Sequence, residues 1–535
     1  MKFADLHCHN HMRPYFWLAR KKRKFTRKGM YTPWTVISSN LKNLRNGKMT
    51  ASYSQCDLVK SWNGKVRLTF NSLYPIEKGF FQTPSQPSKG RNKLFRQIVR
   101  VATSHQLPIR DLLQTIYMKI PDIAVDHFQS PEYDYWEAIN EEVKFMLTSN
   151  GKSTSNKIYT PGLIRQIFES RRNRRRLYPD SMDAKGSYYI PNDREELKNS
   201  LQKDQITMVI TIEGAHALGT DNVPFATFKK RVATIKKEWP FPVFFITFAH
   251  HFDNGLCGHA HSIPDIGKWL LNQSPRKNEG FSPEGRKIIR RFLSINTNNH
   301  SEPKWGYRIL IDVKHMSARA RREYYHDIII PCMEAEDKET IPVIASHCGF
   351  SGIKDLNTHI EKEALEKDDY FDPSGFFNAW NINMCEEDLK IIVQSSGLFG
   401  LSFDQRIIGV PGLANNTPNN IRGLWNNIKA VIKSIYNRND LAEKEKNNIW
   451  NCITIGTDFE GLINPVDDYP TVLNFEDFEQ NLIEIIEQER RDNRGNLDFM
   501  AHIQSKADVT KAVRNFCFEN AKTFVLKHYP RHPLH

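Results

Sequence analysis

Thr207-Met208-Val209-Ile210-Thr211-Ile212-Glu213-Gly214-Ala215-His216 is the stretch on which the reading of this chain turns. A short run rich in β-branched residues stops at a carboxylate, and a glycine follows that permits close backbone approach. It reads as a strand with a functional side chain at its end. Seven further runs follow the same pattern. They are 2–6 ending in His7, 65–70, 243–248 ending near His250, 308–313 ending near His315, 342–345 ending near His347, 398–403, and 452–456 ending near Asp458. Helical material lies between them, over 285–295, 317–325, 386–394 and 419–436, the first introduced by Ser282-Pro283-Glu284 as N-cap, N1 proline and acidic first turn. Eight strands alternating with helices predict an α/β fold, a (β/α)8 TIM-type barrel whose chemistry sits at the C-terminal ends of its strands.

Such a barrel needs only about 250 residues, whereas the chain has 535. The excess is expected as insertions after strands 1 and 2 within a single domain spanning 1–535. About 55 residues separate the first two strands and about 130 the next pair. The second gap, residues 76–205, reads as a helical insertion with candidate helices at 94–105, 133–147 and 163–176, the middle one introduced by Ser130-Pro131-Glu132. It is expected to form a cap or an oligomer-contact layer, for instance of a homodimer. The last segment, 475–529, is largely helical in pattern and is expected to close or brace the barrel.

Composition narrows the class. Hydrophobic residues make up 39% and charged residues 25%, a globular balance that excludes collagen-like, coiled-coil and low-complexity chains. The longest strongly apolar stretch, 241–249, is far short of the roughly 20 residues that cross a bilayer. Eight cysteines, none in a CxxC, argue against a disulfide scaffold or a zinc knuckle and for a reducing, cytoplasmic setting. No apolar leader follows Met1, although a trimmed signal peptide would leave the same sequence. The formal charge of +14 is concentrated in two runs, 20–28 and 171–176. Basic runs of this kind grip nucleic acid or phosphate in some proteins and lie on solvated faces in most, so no nucleic-acid partner is expected.

The polar strand ends carry the chemistry. His7 and His9 stand two apart on a strand, so both face one side and Cys8 the other. Glu213 offers two oxygens that can bridge two cations. His315, His347 and Asp458 end three more strands. Each residue alone has an ordinary structural reading as a satisfied core or rim group. Together, four histidines and two carboxylates at one end of five strands supply N and O ligands for two divalent metal ions, with open positions for water. The absence of cysteine favours zinc or another borderline metal.

These motifs make the sequence resemble the membrane dipeptidase (renal dipeptidase) family of the metal-dependent amidohydrolase superfamily. The carrying stretches are Asp5-Leu6-His7-Cys8-His9, Ile212-Glu213-Gly214-Ala215-His216, 246–254, Gly280-Phe281-Ser282-Pro283-Glu284-Gly285, Ile311-Asp312-Val313-Lys314-His315-Met316-Ser317, Ser346-His347 and 455–461. They cover the barrel and not the long insertions. The resemblance implies that His7 and His9 hold one metal, that His315 and His347 hold a second, and that Glu213 bridges them. It further implies that His250 lies over the substrate carbonyl and that Asp458 moves protons. Two metals acidify a shared water to a bridging hydroxide and polarise a carbonyl, so a small amide, most simply a dipeptide, would be hydrolysed.

Two departures stand out. The family's His-x-Asp is here His7-x-His9, which exchanges an oxygen ligand for nitrogen. The family's substrate-carboxylate arginine, about eleven residues past the sixth-strand histidine, has no counterpart in 351–359. The basic run 20–28, in the loop after the first strand, is one candidate replacement. His259 and His261 read as loop residues, and Cys8, Cys257 and Cys348 are assigned no catalytic role. Two alternatives remain open: an amidohydrolase for another small amide or ester, such as an N-acyl amino acid or lactone, and a non-catalytic basic barrel that binds nucleic acid.

Overall fold

The structure is a computed structural model, and it describes residues 2–19, 32–35, 54–81, 127–154, 186–220, 223–263, 272–335, 340–362, 377–408, 420–461, 463, 465–466, 468–493 and 498–531. The candidate helices 94–105 and 163–176 and the basic runs 20–28 and 171–176 lie outside the described residues.

Nine strands follow the chain: β1 (Phe3–Cys8), β2 (Val66–Leu73), β3 (Tyr188–Tyr189), β4 (Ile206–Glu213), β5 (Val243–Thr247), β6 (Leu310–Asp312), β7 (Ile344–Cys348), β8 (Leu398–Leu401) and β9 (Ile453–Ile455). All pair in parallel, in the order β1-β2-β4-β5-β6-β7-β8-β9, while the two-residue β3 pairs with the start of β4 off this path. The eight path strands are those expected from the sequence, with ends shifted by a few residues. Every residue in them except Arg67 is buried, which is why they read as short near-continuous apolar runs rather than as alternating ones. The sheet curls until its ends meet. Asp458 N donates to His7 O at 3.0 Å, and His9 N donates to Phe459 O at 3.0 Å. The seam that closes the barrel is therefore made by residues of the candidate site.

Two glycines allow the far wall to close in. A Cβ on Gly400 or on Gly456 would fall 1.9 Å from Ser346 O, so no side chain fits where β7, β8 and β9 converge. Just below the strand ends lies a polar layer inside the barrel. Asp5 accepts from Thr457 N and Oγ1 at 2.9 and 2.6 Å. Asp312 accepts from Ser346 N and Oγ and from Thr247 Oγ1, at 2.9, 2.6 and 2.6 Å. These bonds satisfy carboxylates that burial would otherwise make costly; burial still pushes the Asp5 carboxyl up to about 7.

The helices follow their local signals. Ser282 Oγ accepts from Gly285 N at the start of Pro283–Leu293, and Ser317 Oγ accepts from Ala320 N at the start of Ala318–Tyr324. Glu386–Gln394 and Asn420–Tyr436 stand where the sequence places them. One cap differs from expectation. The insertion helix is Tyr135–Leu147, and its N-cap is Asp134, whose side chain accepts from Glu137 N. Ser130-Pro131-Glu132 instead form a turn, with Tyr133 N bonded to Ser130 O. Asp134 competes better because its carboxylate reaches the exposed amide of the first turn. This helix packs at the barrel mouth, where Glu142 accepts from Tyr74 N at 2.8 Å and lies 3.3 Å from His11 Nε2.

Helices Phe475–Asp492, Lys506–Arg514 and Asn520–His528 brace the seam from outside. Phe475 packs on both Phe3 and Phe459, with ring centroids 5.4 and 6.3 Å apart. Among the described residues, no helix is long and apolar enough to cross a membrane.

Candidate metal centre

Glu213, the last residue of β4, is the hub. His7 Nε2 lies 3.1 Å from its Oε1 and His9 Nε2 3.1 Å from its Oε2. From the other side His347 Nε2 and His315 Nε2 approach Oε1 at 3.6 and 3.8 Å, and the two imidazole nitrogens are 3.1 Å apart. Asp458 Oδ1 is 3.8 Å from His7 Nε2 and its Oδ2 is 4.0 Å from His347 Nε2. All six residues expected from the sequence to form the centre therefore meet at one end of the barrel. Donors about 2.1 Å from one tetrahedral ion sit about 3.4 Å apart, which is the spacing found here.

Local conformation turns these side chains inward. β1 carries His7 into the barrel, and His9 follows it to the same side, while Cys8 turns toward Thr69, 2.9 Å from its Oγ1. His315 and Asp458 both have left-handed backbone, with φ of 66° and 62°. Non-glycine residues seldom adopt it, and it persists where surrounding bonds enforce it. At Asp458 the enforcing bond is the seam itself.

The next shell fixes the rings. His9 Nδ1 is 2.9 Å from Ser72 O and so donates, leaving the Nε2 lone pair toward Glu213. Ser346 donates to Asp312, and its Oγ lies 2.7 Å from His347 Nδ1, which presents His347 Nε2 in the same way. Tethering one ring nitrogen to leave the other free is how proteins prepare a metal-ligating histidine. His7 Nε2, His9 Nε2 and Asp458 Oδ1 are buried and make no hydrogen bond among the described residues. Orphaned donor atoms converging on a carboxylate fit divalent cations.

The electrostatics agree. Burial lowers the His7 pKa, and it holds His315 and His347 well below the usual histidine range, which favours the neutral rings. Burial raises the Glu213 carboxyl, but His250 and His7 outweigh it and keep the group ionised. Burial and the neighbouring Glu213 push Asp458 well above the ordinary carboxylate range. Its side chain is 13% exposed, against 3% or less for Glu213, His7 and His347, so it borders the open side of the centre.

His250, past the end of β5, lies between two carboxylates. Its Nε2 is 3.4 Å from Glu213 Oε1 and its Nδ1 2.5 Å from Glu77 Oε2. Burial lowers its pKa, but the two acids more than offset this and lift it to about 10.

Two residues here escaped the sequence reading. Glu77, in the loop after β2, also accepts from Phe252 N at 3.1 Å and from Tyr74 OH at 3.2 Å. The position of that loop after a strand was the available signal. His251, next to His250, has its ring 4.1 Å from that of His250 and 4.8 Å from that of His315. His259 is spent on carbonyls, with Nδ1 and Nε2 each 3.1 Å from a backbone oxygen, as befits a loop residue. His261 packs edge-on against Trp380.

Among solved structures, dipeptidase AC, a metallopeptidase of family M19, superimposes with a TM-score of 0.50 over 99% of this chain and 98% of its own, at 12% identity. This chain shares the parallel barrel fold of that structure. A metallopeptidase from Rhodobacter sphaeroides, liganded with a phosphinate mimic of the dipeptide L-Ala-D-Ala, aligns over 99% of both chains at 13% identity, with a TM-score of 0.48. The probable dipeptidase PvdM from Pseudomonas aeruginosa aligns over 96% of this chain and 97% of its own at 13% identity, with a TM-score of 0.41. No protein-family model and no curated protein sequence matches the chain.

Proposed function

We propose that the protein is a metal-dependent hydrolase that cleaves the amide bond of dipeptides at a centre of two zinc ions. The observation that carries this reading is the convergence of His7, His9, His315 and His347 on Glu213, with Asp458 beside His7 and His347. His7 and His9 would hold one ion, His315 and His347 the other, and Glu213 would be shared between them. Ions held there would supply a water-derived nucleophile near neutral pH and a Lewis acid for the scissile carbonyl.

The chain's own residues supply the rest. Asp458, at the open side and with a raised proton affinity, takes the proton from the attacking water and delivers it to the leaving amine. His250 presents Nε2–H to the carbonyl oxygen as negative charge develops there. Glu77, bonded to Nδ1, fixes the direction of that ring. Nitrogen at His9, where relatives by resemblance have aspartate, shifts the donor set toward borderline ions such as zinc and away from magnesium or manganese.

The test is metal analysis coupled to a substrate panel. The zinc-loaded chain should carry about two equivalents and hydrolyse L-L or L-D dipeptides, and activity should vanish with chelator or in His315→Ala. Turnover of N-acyl amino acids or lactones without dipeptides would overturn the dipeptide assignment. Steep salt-dependent binding of DNA or RNA, indifferent to chelation and without hydrolysis, would overturn the enzyme reading.

A further inference from the structure

His251 has no part in the hydrolysis just described, yet its surroundings are those of a ligand. Its Nδ1 lies 2.6 Å from Ser262 Oγ. Gln273 Nε2 donates both to that hydroxyl and to the His251 carbonyl, each at 2.7 Å, and Gln273 Oε1 accepts from Ile263 N at 2.9 Å. Phe80 packs edge-on against the ring, 5.3 Å between centroids. The tautomer that donates from Nδ1 to Ser262 leaves a lone pair at Nε2. His250 is arranged alike, with Nδ1 on the Glu77 carboxylate, the pairing that orients and strengthens metal-ligating histidines. His315 completes the group, and its Nδ1 is buried with no hydrogen bond among the described residues. One ligand atom from each of the three lies within 4.8 Å of the others.

We propose that His250, His251 and His315 form a third cation site, which takes a divalent ion of the zinc, nickel or copper kind and inhibits the enzyme. His251, and His250 once it gives up the proton its flanking acids hold, offer neutral imidazole nitrogens. His315, whose Nε2 faces the proposed two-ion centre, would offer Nδ1 as a bridging imidazolate. Such nitrogen donors match the preference of these ions. The Glu77 and Glu213 carboxylates flanking His250 balance the added charge. An ion that takes the Nε2 lone pair of His250 leaves no N–H there for the substrate oxygen, so occupancy and hydrolysis exclude each other. The inhibition rests on the proposed function; the site itself rests on the three rings.

The experiment compares wild type with His251→Phe, which keeps a ring against Phe80 but removes the nitrogens. Zinc bound per chain is measured by equilibrium dialysis, and hydrolysis is followed as free zinc rises; cobalt(II) absorption reports the added site independently of activity. Wild type should bind a third, weaker equivalent and lose at least tenfold in rate as it fills. His251→Phe should keep two equivalents and its basal rate, without the third equivalent or the inhibition. Ser262→Ala, a milder change, should weaken the third equivalent by about tenfold. A third equivalent retained in His251→Phe, or none in wild type, overturns the site. A third equivalent lost in His251→Phe in a chain that hydrolyses no panel substrate upholds the site and sinks the hydrolase reading instead.

Discussion

Two of the buried charged clusters among the described residues are built on opposite terms. Behind the barrel wall, Arg321 Nε donates to Asp388 Oδ1 at 2.9 Å, and its Nη1 donates to the carbonyls of Met316 and Asn381 at 2.9 and 2.5 Å. Asp388 also accepts from Tyr325 OH and from Cys385 N, each at 2.8 Å. Around Glu213, in contrast, ligand atoms of His7, His9 and Asp458 point inward without hydrogen bonds among the described residues. Both clusters are largely hidden from water, so burial alone does not tell them apart. Satisfaction does: the first is saturated by protein atoms, whereas the second keeps capacity for something else.

That contrast can be broken by substitution. Glu213→Gln should have the largest effect, a loss of roughly 10⁴-fold in kcat/KM, about 5.5 kcal/mol of transition-state stabilisation, together with loss of bound metal. The metal-free variant should nevertheless unfold as cooperatively as wild type by circular dichroism. Arg321→Ala should do the reverse. Stranding Asp388 in the core costs about 3–5 kcal/mol of stability, read as a lower denaturation midpoint, while any folded fraction keeps its specific activity. If both variants lose stability alike and neither loses metal selectively, the distinction fails.

Smaller effects sharpen it. Glu77→Gln should lower kcat about 10- to 100-fold with little change in metal content, because the amide holds the His250 ring less firmly. A variant that loses metal instead would make Glu77 part of the ligand set. His528, on the last helix, tests whether an unsatisfied group far from the centre is merely costly. Its Nε2 also lacks a partner among the described residues, and burial holds its pKa down to about 4. The unfolded chain binds this proton first, so the contribution is present above about pH 6.5 and fades as pH falls toward 4. His528→Gln should flatten the stability profile over that window by about 1–2 kcal/mol, without touching activity.

The barrel was legible in the sequence because burial on both faces leaves short unbroken apolar runs, and because chemistry gathers where such runs end. His7, Glu213, His315, His347 and Asp458 could be found that way. β3 could not, since two residues, Tyr188 and Tyr189, carry no periodicity. Asp134 was passed over for Ser130 because both make good caps and only the packed helix decides between them. Glu77 was missed because a lone carboxylate in a loop looks like any solvated one until His250, over 170 positions later, folds onto it. His251 was hidden by its neighbour, for adjacent histidines give no hint that both rings turn to one pocket.

The seam joining His7 and His9 to Asp458 and Phe459 has a temporal cost. A ribosome adding about 5–20 residues per second reaches Asp458 roughly 20–90 s after it has placed His7. For that whole interval β1 lacks its closing neighbour and the six side chains stand apart. The nascent chain therefore emerges with an unpaired edge, and the convergence on Glu213 is necessarily a late event in the protein's maturation.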